Sequence, residues 1–316
     1  MKINNLILKY IEYRKSLGEK FRTNSDYLKA FSKAVGPYLD IRDISPKDVS
    51  DFLYGSGPVT SAWFAKFTAL AGFYQYAVSR GFIDCFPMPV DIPKRPPAFV
   101  PYIYTRAELK LLFETALIYQ KNRSNTKPYM IRMLLIMLYS TGLRLNEALS
   151  LTMADINIQE SIIKVNQTKF YKSRLVPFGN QLAKEIAIYL KWCRKQKFPQ
   201  NPTTPFFYGR DNKPLNISTM EDTFVRIRKK AGIQRTDNAR YQPRLHDLRH
   251  TFAVHRLMSW YQENADVQLL LPVLSVYMGH TYLAATSVYL TMTNDLLQKA
   301  NKRFENYARG HNARQS

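Results

Sequence analysis

Six residues spread over the last two-thirds of this chain carry the side chains needed to break a phosphodiester without a metal: Arg144, Lys169, His246, Arg249, His280 and Tyr289. Two guanidiniums can grip non-bridging oxygens bidentately, a lysine can protonate a leaving alkoxide, imidazoles can exchange protons, and a tyrosine can attack phosphorus. The densest segment is His246-Asp247-Leu248-Arg249-His250. On a helix, positions 246, 249 and 250 share a face, so an imidazole and a guanidinium can address one phosphate. His246, His250 and His255 also allow a metal reading. It is disfavoured because Arg249 would stand beside the cation and no third ligand of the right kind is evident.

Singly, each residue has a plainer reading. Arg144 could be a helix residue paired with Glu147, and Lys169, with Lys164, Lys172 and Arg174 nearby, could be a solvated turn lysine. His280 alone is an ordinary turn histidine. Tyr289 is one of 21 tyrosines, with Tyr277 and Tyr282 as neighbours in sequence. Nine residues of straight helix would hold it roughly 13 Å from His280, so spacing alone does not bring the two together.

The elements that must position these residues can be read from periodicity. Apolar residues recur at helical spacing over 3–17, 25–35, 46–54 and 60–80, which predicts a small four-helix bundle. Ser45-Pro46-Lys47-Asp48 starts a helix well, with a serine cap, proline in the first turn and a carboxylate at the dipole's positive end. Six prolines between Phe86 and Pro101 exclude a helix there and mark a linker. Thr105-Arg106-Ala107-Glu108 is a capping-box sequence opening a second domain, and a more apolar helix follows over Tyr129–Ser140. Gly142 can end that helix, which puts Arg144 at the start of the next. Alternation at 156–158, 162–166 and 174–176 predicts a small antiparallel sheet with Lys169 in or beside a hairpin turn. Beyond Pro177 the pattern is helical almost to the end. Gly279 suits a helix terminus, Thr281 could cap the helix after it, and residues 295–307 read as an amphipathic helix. There is no internal repeat and no low-complexity tract.

The 316 residues suffice for two domains with separate cores, and 46% hydrophobic with 13% aromatic content excludes a disordered tail protein. A formal charge of +22 calls for a polyanionic partner, and residues 104–316 hold +17 of it. Nucleic acid fits, because neutralising phosphates releases condensed counterions. Cys85 and Cys193 have no partner spacing, which argues against a disulfide scaffold or zinc site and fits a reducing cytosol. No basic segment leads into a long apolar run at the N-terminus, and the longest apolar stretch, Met133–Tyr139, is far short of a membrane span. The expectation is a soluble, unprocessed cytoplasmic protein, associated with the nucleoid and not with a membrane.

In order and in context, Thr141-Gly142-Leu143-Arg144-Leu145-Asn146-Glu147, Thr168-Lys169-Phe170-Tyr171-Lys172-Ser173-Arg174-Leu175-Val176-Pro177, Leu245-His246-Asp247-Leu248-Arg249-His250-Thr251 and Met278-Gly279-His280, with Tyr289 beyond, resemble the tyrosine recombinase (phage integrase) family over about residues 104–310. The resemblance selects Lys169 over Lys172, because the family's lysine precedes a strand ending in a Val-Pro pair. It also selects Tyr289 as nucleophile over Tyr277 and Tyr282, and makes His250 structural. It implies a mainly α fold with a small antiparallel β-sheet: an N-terminal helical core-binding domain (SAM-like) over 1–85 that clamps DNA, a proline-rich linker over 86–103, and a mixed α+β catalytic domain over 104–316 with a C-terminal helix. The implied function is site-specific DNA recombination, of integrase or transposase type, through a 3′-phosphotyrosyl intermediate and a Holliday junction. The implied partner is double-stranded DNA with inverted-repeat sites, bound by a homotetramer, with or without sister recombinases. Neither ATP, metal nor any other cofactor is called for. Two other readings share parts of this pattern, a type IB topoisomerase and a catalytically silent DNA-binding protein. The chain departs from compact family members in a longer gap between Arg249 and His280, where Trp260–Asp266 reads as an inserted or extended loop.

Overall fold

A computed structural model describes residues 1–96, 99–119, 126–166, 173–209, 213–239, 241–291, 298 and 301. The chain forms two compact units, Met1–Phe99 and Val100–Ser316. The first holds α1 (Ile3–Ser16), α2 (Arg22–Val35), α3 (Pro46–Tyr54) and α4 (Ser61–Ser79). Their apolar stripes meet in one core in which Leu6, Ile7, Leu28, Phe31, Leu70 and Phe73 are fully buried. The Ser45/Asp48 capping box starts α3 with both reciprocal hydrogen bonds. α2 begins three residues ahead of the periodic pattern, its N-cap Phe21 taking a left-handed φ of 36° and burying its ring in the core. No helix forms between α4 and Arg106 among the described residues, as the proline density there requires.

In the second unit, α5 (Arg106–Ile118) opens on the Thr105/Glu108 capping box, and α6 (Pro128–Thr141) runs through the centre. α6 is apolar on nearly every face, with Met130, Ile131 and Met133–Leu138 all buried, and it packs against α5, α8 (Asn180–Lys195) and α10 (Asp247–Gln262). The sheet is a meander of β1 (Ile156–Asn157), β2 (Ile162–Val165) and β3 (Arg174–Pro177), antiparallel throughout. Its register pairs Ile163 with Val176, both fully buried, while Lys164 and Leu175 face outward. The remaining elements are α7 (Leu145–Leu149), α9 (Ile217–Lys230), α11 (Val267–Met278) and α12 (Ala284–Ser287), followed by a 3-10 turn at Val288–Thr291. The fold is mainly α with one small sheet. Cys193 is buried in the α8 core and Cys85 is exposed, both as free thiols.

Three expectations need correction. The loop expected over 260–266 is shorter: α10 continues to Gln262, only 263–266 form the connection, and α11 starts at Val267, because the Asp266 side chain accepts from the backbone N–H groups of Gln268 and Leu269 and caps it. The stretch after Pro177 is less helical than its pattern suggests, since 196–216 and 231–246 contain only turns, bridges and extended chain among the described residues. Thr281 caps nothing: the next helix starts beyond Leu283 and has no side-chain cap. The predicted amphipathic helix at 295–307 lies outside the described residues, apart from isolated positions.

Gly142 shows how tightly α6 meets α10. It takes φ 61° at the α6 terminus, and a Cβ there would stand 2.5 Å from Cδ1 of Phe252. Gly142→Ala should therefore destabilise the protein by about 1–3 kcal/mol, from ring displacement and an unfavourable φ together. Urea denaturation followed by circular dichroism measures this, and an unchanged midpoint would contradict the contact.

Candidate active site

The site is assembled where helices end. Past Gly142 the chain turns out of α6, so that Arg144 becomes the N-cap of α7. Its backbone N–H donates to Glu147 Oε2 at 2.9 Å, its Nη1 to Glu147 Oε1 at 3.0 Å, and its Nη2 to the Gly279 carbonyl at 3.1 Å. From the other side Arg174, the first residue of β3, donates Nη1 and Nη2 to the same two carboxylate oxygens at 3.0 and 2.8 Å, and Nε to the Tyr277 carbonyl at 2.9 Å. Burial alone would raise the Glu147 pKa. The Arg174 hydrogen bonds and charge, followed by those of Arg144, outweigh burial and hold it at about 2.

Arg249 sits in the first turn of α10 and is 3% exposed. Its Nη1 donates to the Gly142 carbonyl at 2.5 Å and its Nη2 to the Met278 carbonyl at 2.7 Å. These carbonyls close α6 and α11, so the cation lies at the negative ends of two helix dipoles. No carboxylate pairs with it among the described residues. Burial, then repulsion by Arg144, lowers its pKa to about 10, with Tyr289 acting in the opposite sense. It remains charged at neutral pH.

A chain of rings borders this cation. His246, the N-cap of α10, lies 5.0 Å from His250 between ring centroids; His250 lies 5.6 Å from Tyr289, and Tyr289 lies 6.2 Å from His280 with the planes 25° apart. Tyr289 reaches His280 because α12 and its 3-10 turn fold the chain back, which straight helix could not do. Within that return, Thr286 is fully buried and its Oγ1 lies 2.7 Å from His280 Nδ1, fixing the imidazole. Tyr289 is 3% exposed, and its pKa is raised by burial against the opposing pull of Arg249 and Arg144.

All three imidazoles are held neutral. Burial, then Arg249, Arg244 and Arg144, lowers His246 to about 4; burial, then Arg249, Arg144 and Arg174, lowers His280 to about 4. His250 falls to about 3 from burial and the charges around it, and its Nδ1 has no hydrogen-bond partner among the described residues. His246 is exposed, so water tempers the first cause there and the guanidiniums carry more of the effect.

The structure thus brings Arg144, His246, Arg249, His280 and Tyr289 together. Lys169, and Lys172 with it, lie outside the described residues. The competing tyrosines stand elsewhere: Tyr282 is 75% exposed, and Tyr277 donates its hydroxyl to the Pro177 carbonyl at 3.0 Å while stacking on Phe252. His255 is bonded through Nδ1 to the Tyr139 hydroxyl at 3.1 Å. Among the described residues no group of three His, Cys, Asp or Glu side chains is placed to hold a metal. The nearby carboxylates are committed, Glu147 to two arginines and Asp247 to the Arg244 N–H at 2.8 Å. Sequence reasoning missed Arg174 and Thr286 and saw Glu147 only as a neighbour of Arg144. The three-residue spacing pointed to that pair, whereas nothing local joins position 174 to 147.

Residues 105–295 match the family model of the phage integrase family. The chain belongs to that family, the tyrosine recombinases. Membership makes it a tyrosine-type site-specific recombinase. An integrase/recombinase of Sinorhizobium fredii, y4rB, is 29% identical over 306 residues, covering 95% of this chain and 96% of that one. The tyrosine recombinase XerD of Staphylococcus saprophyticus is 24% identical, covering 94% and 96%. Among solved structures, the Tn1549 transposon integrase in complex with transposon right end DNA superposes with a TM-score of 0.70 at 15% identity, over 98% of this chain and 100% of that one. At that identity the likeness is one of fold. No helix among the described residues of the recombinase is long and apolar enough to cross a membrane.

The depressed histidines give a pH test of the recombinase free of DNA. An unfolded chain protonates them near pH 6.5, while the folded protein resists until about pH 4. Between those values the unfolded state binds more protons, so stability is full above about 6.5 and falls as the pH drops. The thermal midpoint should decrease from pH 7.5 to 5, and His250→Phe should shrink that decrease. A midpoint that rises on acidification would contradict imidazoles held neutral by the folded protein.

Proposed function

We propose that this recombinase cuts and rejoins DNA through a 3′-phosphotyrosyl intermediate formed by Tyr289. The observation that supports this most is the buried Tyr289 phenol, set against the Arg249 guanidinium and flanked by imidazoles that are neutral at pH 7. The Tyr289 oxygen bonds to phosphorus, the bond from phosphorus to the 5′-oxygen breaks, and the phenolic proton passes to a neutral imidazole, His246 or His280. Lys169 protonates the departing 5′-oxygen. Arg144 and Arg249 hold the non-bridging oxygens as charge grows on the phosphorane. Attack by the 5′-hydroxyl of a partner strand reverses these steps, so the phosphodiester energy is kept and no ATP is consumed.

The substrate in this reading is duplex DNA carrying inverted-repeat sites, joined through a Holliday junction by a homotetramer, and the element served is a mobile or integrating one. The unit Met1–Phe99 acts as the core-binding, DNA-clamping domain and Val100–Ser316 as the catalytic domain. The +22 charge supports a polyanionic partner, as does the transposon DNA bound by the structural relative. Cytoplasmic location follows from the same substrate. The cationic donor set, with its one central carboxylate already held by two arginines, supports cleavage without a divalent metal.

On a nicked suicide substrate bearing the cognate site, Tyr289→Phe should abolish covalent trapping while leaving site binding intact, and trapping by the parent should survive excess chelator. Loss of trapping in Tyr282→Phe instead, or strict dependence on added magnesium, would overturn the assignment. Arg249→Ala should weaken binding only modestly yet lower cleavage by roughly 100-fold or more, because that contact strengthens in the transition state. A 5′-bridging sulfur substrate, whose leaving group needs no proton, should restore cleavage in Lys169→Ala and not in Arg249→Ala. Equal behaviour of the two variants would remove Lys169 from the general-acid role.

A further inference from the structure

Outside the six residues, Glu147 and Arg174 are charged side chains built into the same site, and Arg174 has no assigned part in it. Arg174 is nearly buried, with 11% of its side chain exposed, and uses all three of its guanidinium nitrogens on fixed partners. Two of them grip Glu147, whose carboxylate in turn holds the Nη1 and backbone N–H of Arg144. The third takes the Tyr277 carbonyl, next to the Met278 carbonyl that receives Arg249. Gly279, whose own carbonyl accepts from Arg144, passes so close that a Cβ on it would stand 2.8 Å from Arg174 Nη1. The guanidinium is therefore wedged between α7, β3 and the end of α11, touching a support of each phosphate-binding arginine.

We infer that Arg174 is a positioning residue for strand cleavage, acting through Glu147 to aim Arg144 and through the α11 terminus to fix the carbonyl that seats Arg249. This rests on the proposed phosphodiester chemistry of the site. Planarity matters, because the rigid guanidinium fork matches both carboxylate oxygens bidentately and keeps its third nitrogen for the carbonyl, a geometry a lysine ammonium does not fix. Arg174 also keeps Glu147 ionised. The other charged or titratable groups acting at this carboxylate are Arg144 from its own helix start, His246 and Arg249 from α10, and His280 beyond α11. With Arg174 gone, burial would push the carboxyl upward.

Two readouts separate this inference from the reaction it serves. In DNA-free protein, an NMR titration of the Glu147 carboxyl should move from about 2 in the parent to a higher value in Arg174→Met, and by less in Arg174→Lys. In single-turnover cleavage, Arg174→Met should be about 100-fold slower, the scale of a small misplacement of a binding group. Site binding should stay within about threefold of the parent, since Arg174 is only one cation and faces inward. The slower cleavage should show an added acid limb that Glu147→Gln removes without further loss of rate, as members of one network behave. The sulfur substrate should not restore it. Arg174→Lys should recover part of the rate, and it decides the matter if the methionine variant does not fold. An unmoved Glu147 titration, cleavage within about threefold of the parent, or full recovery with the sulfur substrate overturns the inference. Failure of the parent itself to link through Tyr289 would instead overturn the proposed function, leaving the Glu147 titration to judge Arg174 by itself.

Discussion

Everything at this site depends on one buried cation that is seated on helix ends and has no counter-ion among the described residues. Arg249 is held by the terminal carbonyls of α6 and α11, a pair of partial negative charges that orient the guanidinium without neutralising it. An acidic partner would neutralise the guanidinium and compete with any anionic ligand. Carbonyl seating leaves the charge available. It also fits the stop of α6 at Gly142, where the Phe252 ring packs closely, and the end of α11 at Met278 with a left-handed Gly279.

Arg144 is treated differently, being tied to Glu147 and through it to Arg174. The two arginines therefore come from opposite designs, one seated on backbone dipoles and the other on a shared carboxylate. A carboxylate already bridged by two guanidiniums retains little pull on a third charge, so this pairing stiffens the site while leaving its net charge positive. Burial, and after it that surplus, holds His246, His250 and His280 neutral. In the proposed reaction, an arriving phosphodiester would offset part of that positive field and raise the proton affinity of the imidazoles at the moment a phenolic proton has to be received.

Much of the fold was legible in the sequence because its signals are local. The Ser45/Asp48 and Thr105/Glu108 capping boxes, the largely apolar α6 and the alternation of β2 and β3 depend on a few adjacent residues, and the structure shows each where the pattern puts it. The helical face shared by His246, Arg249 and His250 was equally local. What could not be read depends on contacts between distant segments. Periodicity gives no sign that α12 folds Tyr289 back onto His280, nor that Arg174 crosses 27 positions to Glu147. The loop over 260–266 was drawn too long, since α10 runs on through Gln262 and Asp266 caps α11 so that it begins at once, leaving 263–266 as the connection. Family resemblance supplied Tyr289 where spacing could not.

The account stands on Tyr289 being the atom that joins DNA. The most direct measurement is to trap the protein on a nicked site, digest protein and DNA, and locate the nucleotide-modified residue by tandem mass spectrometry. The account predicts a single modified tyrosine at position 289, linked to a 3′-phosphate. A modified Tyr277 or Tyr282, a 5′-linkage, or no covalent species on a site that the protein nevertheless cleaves would contradict it.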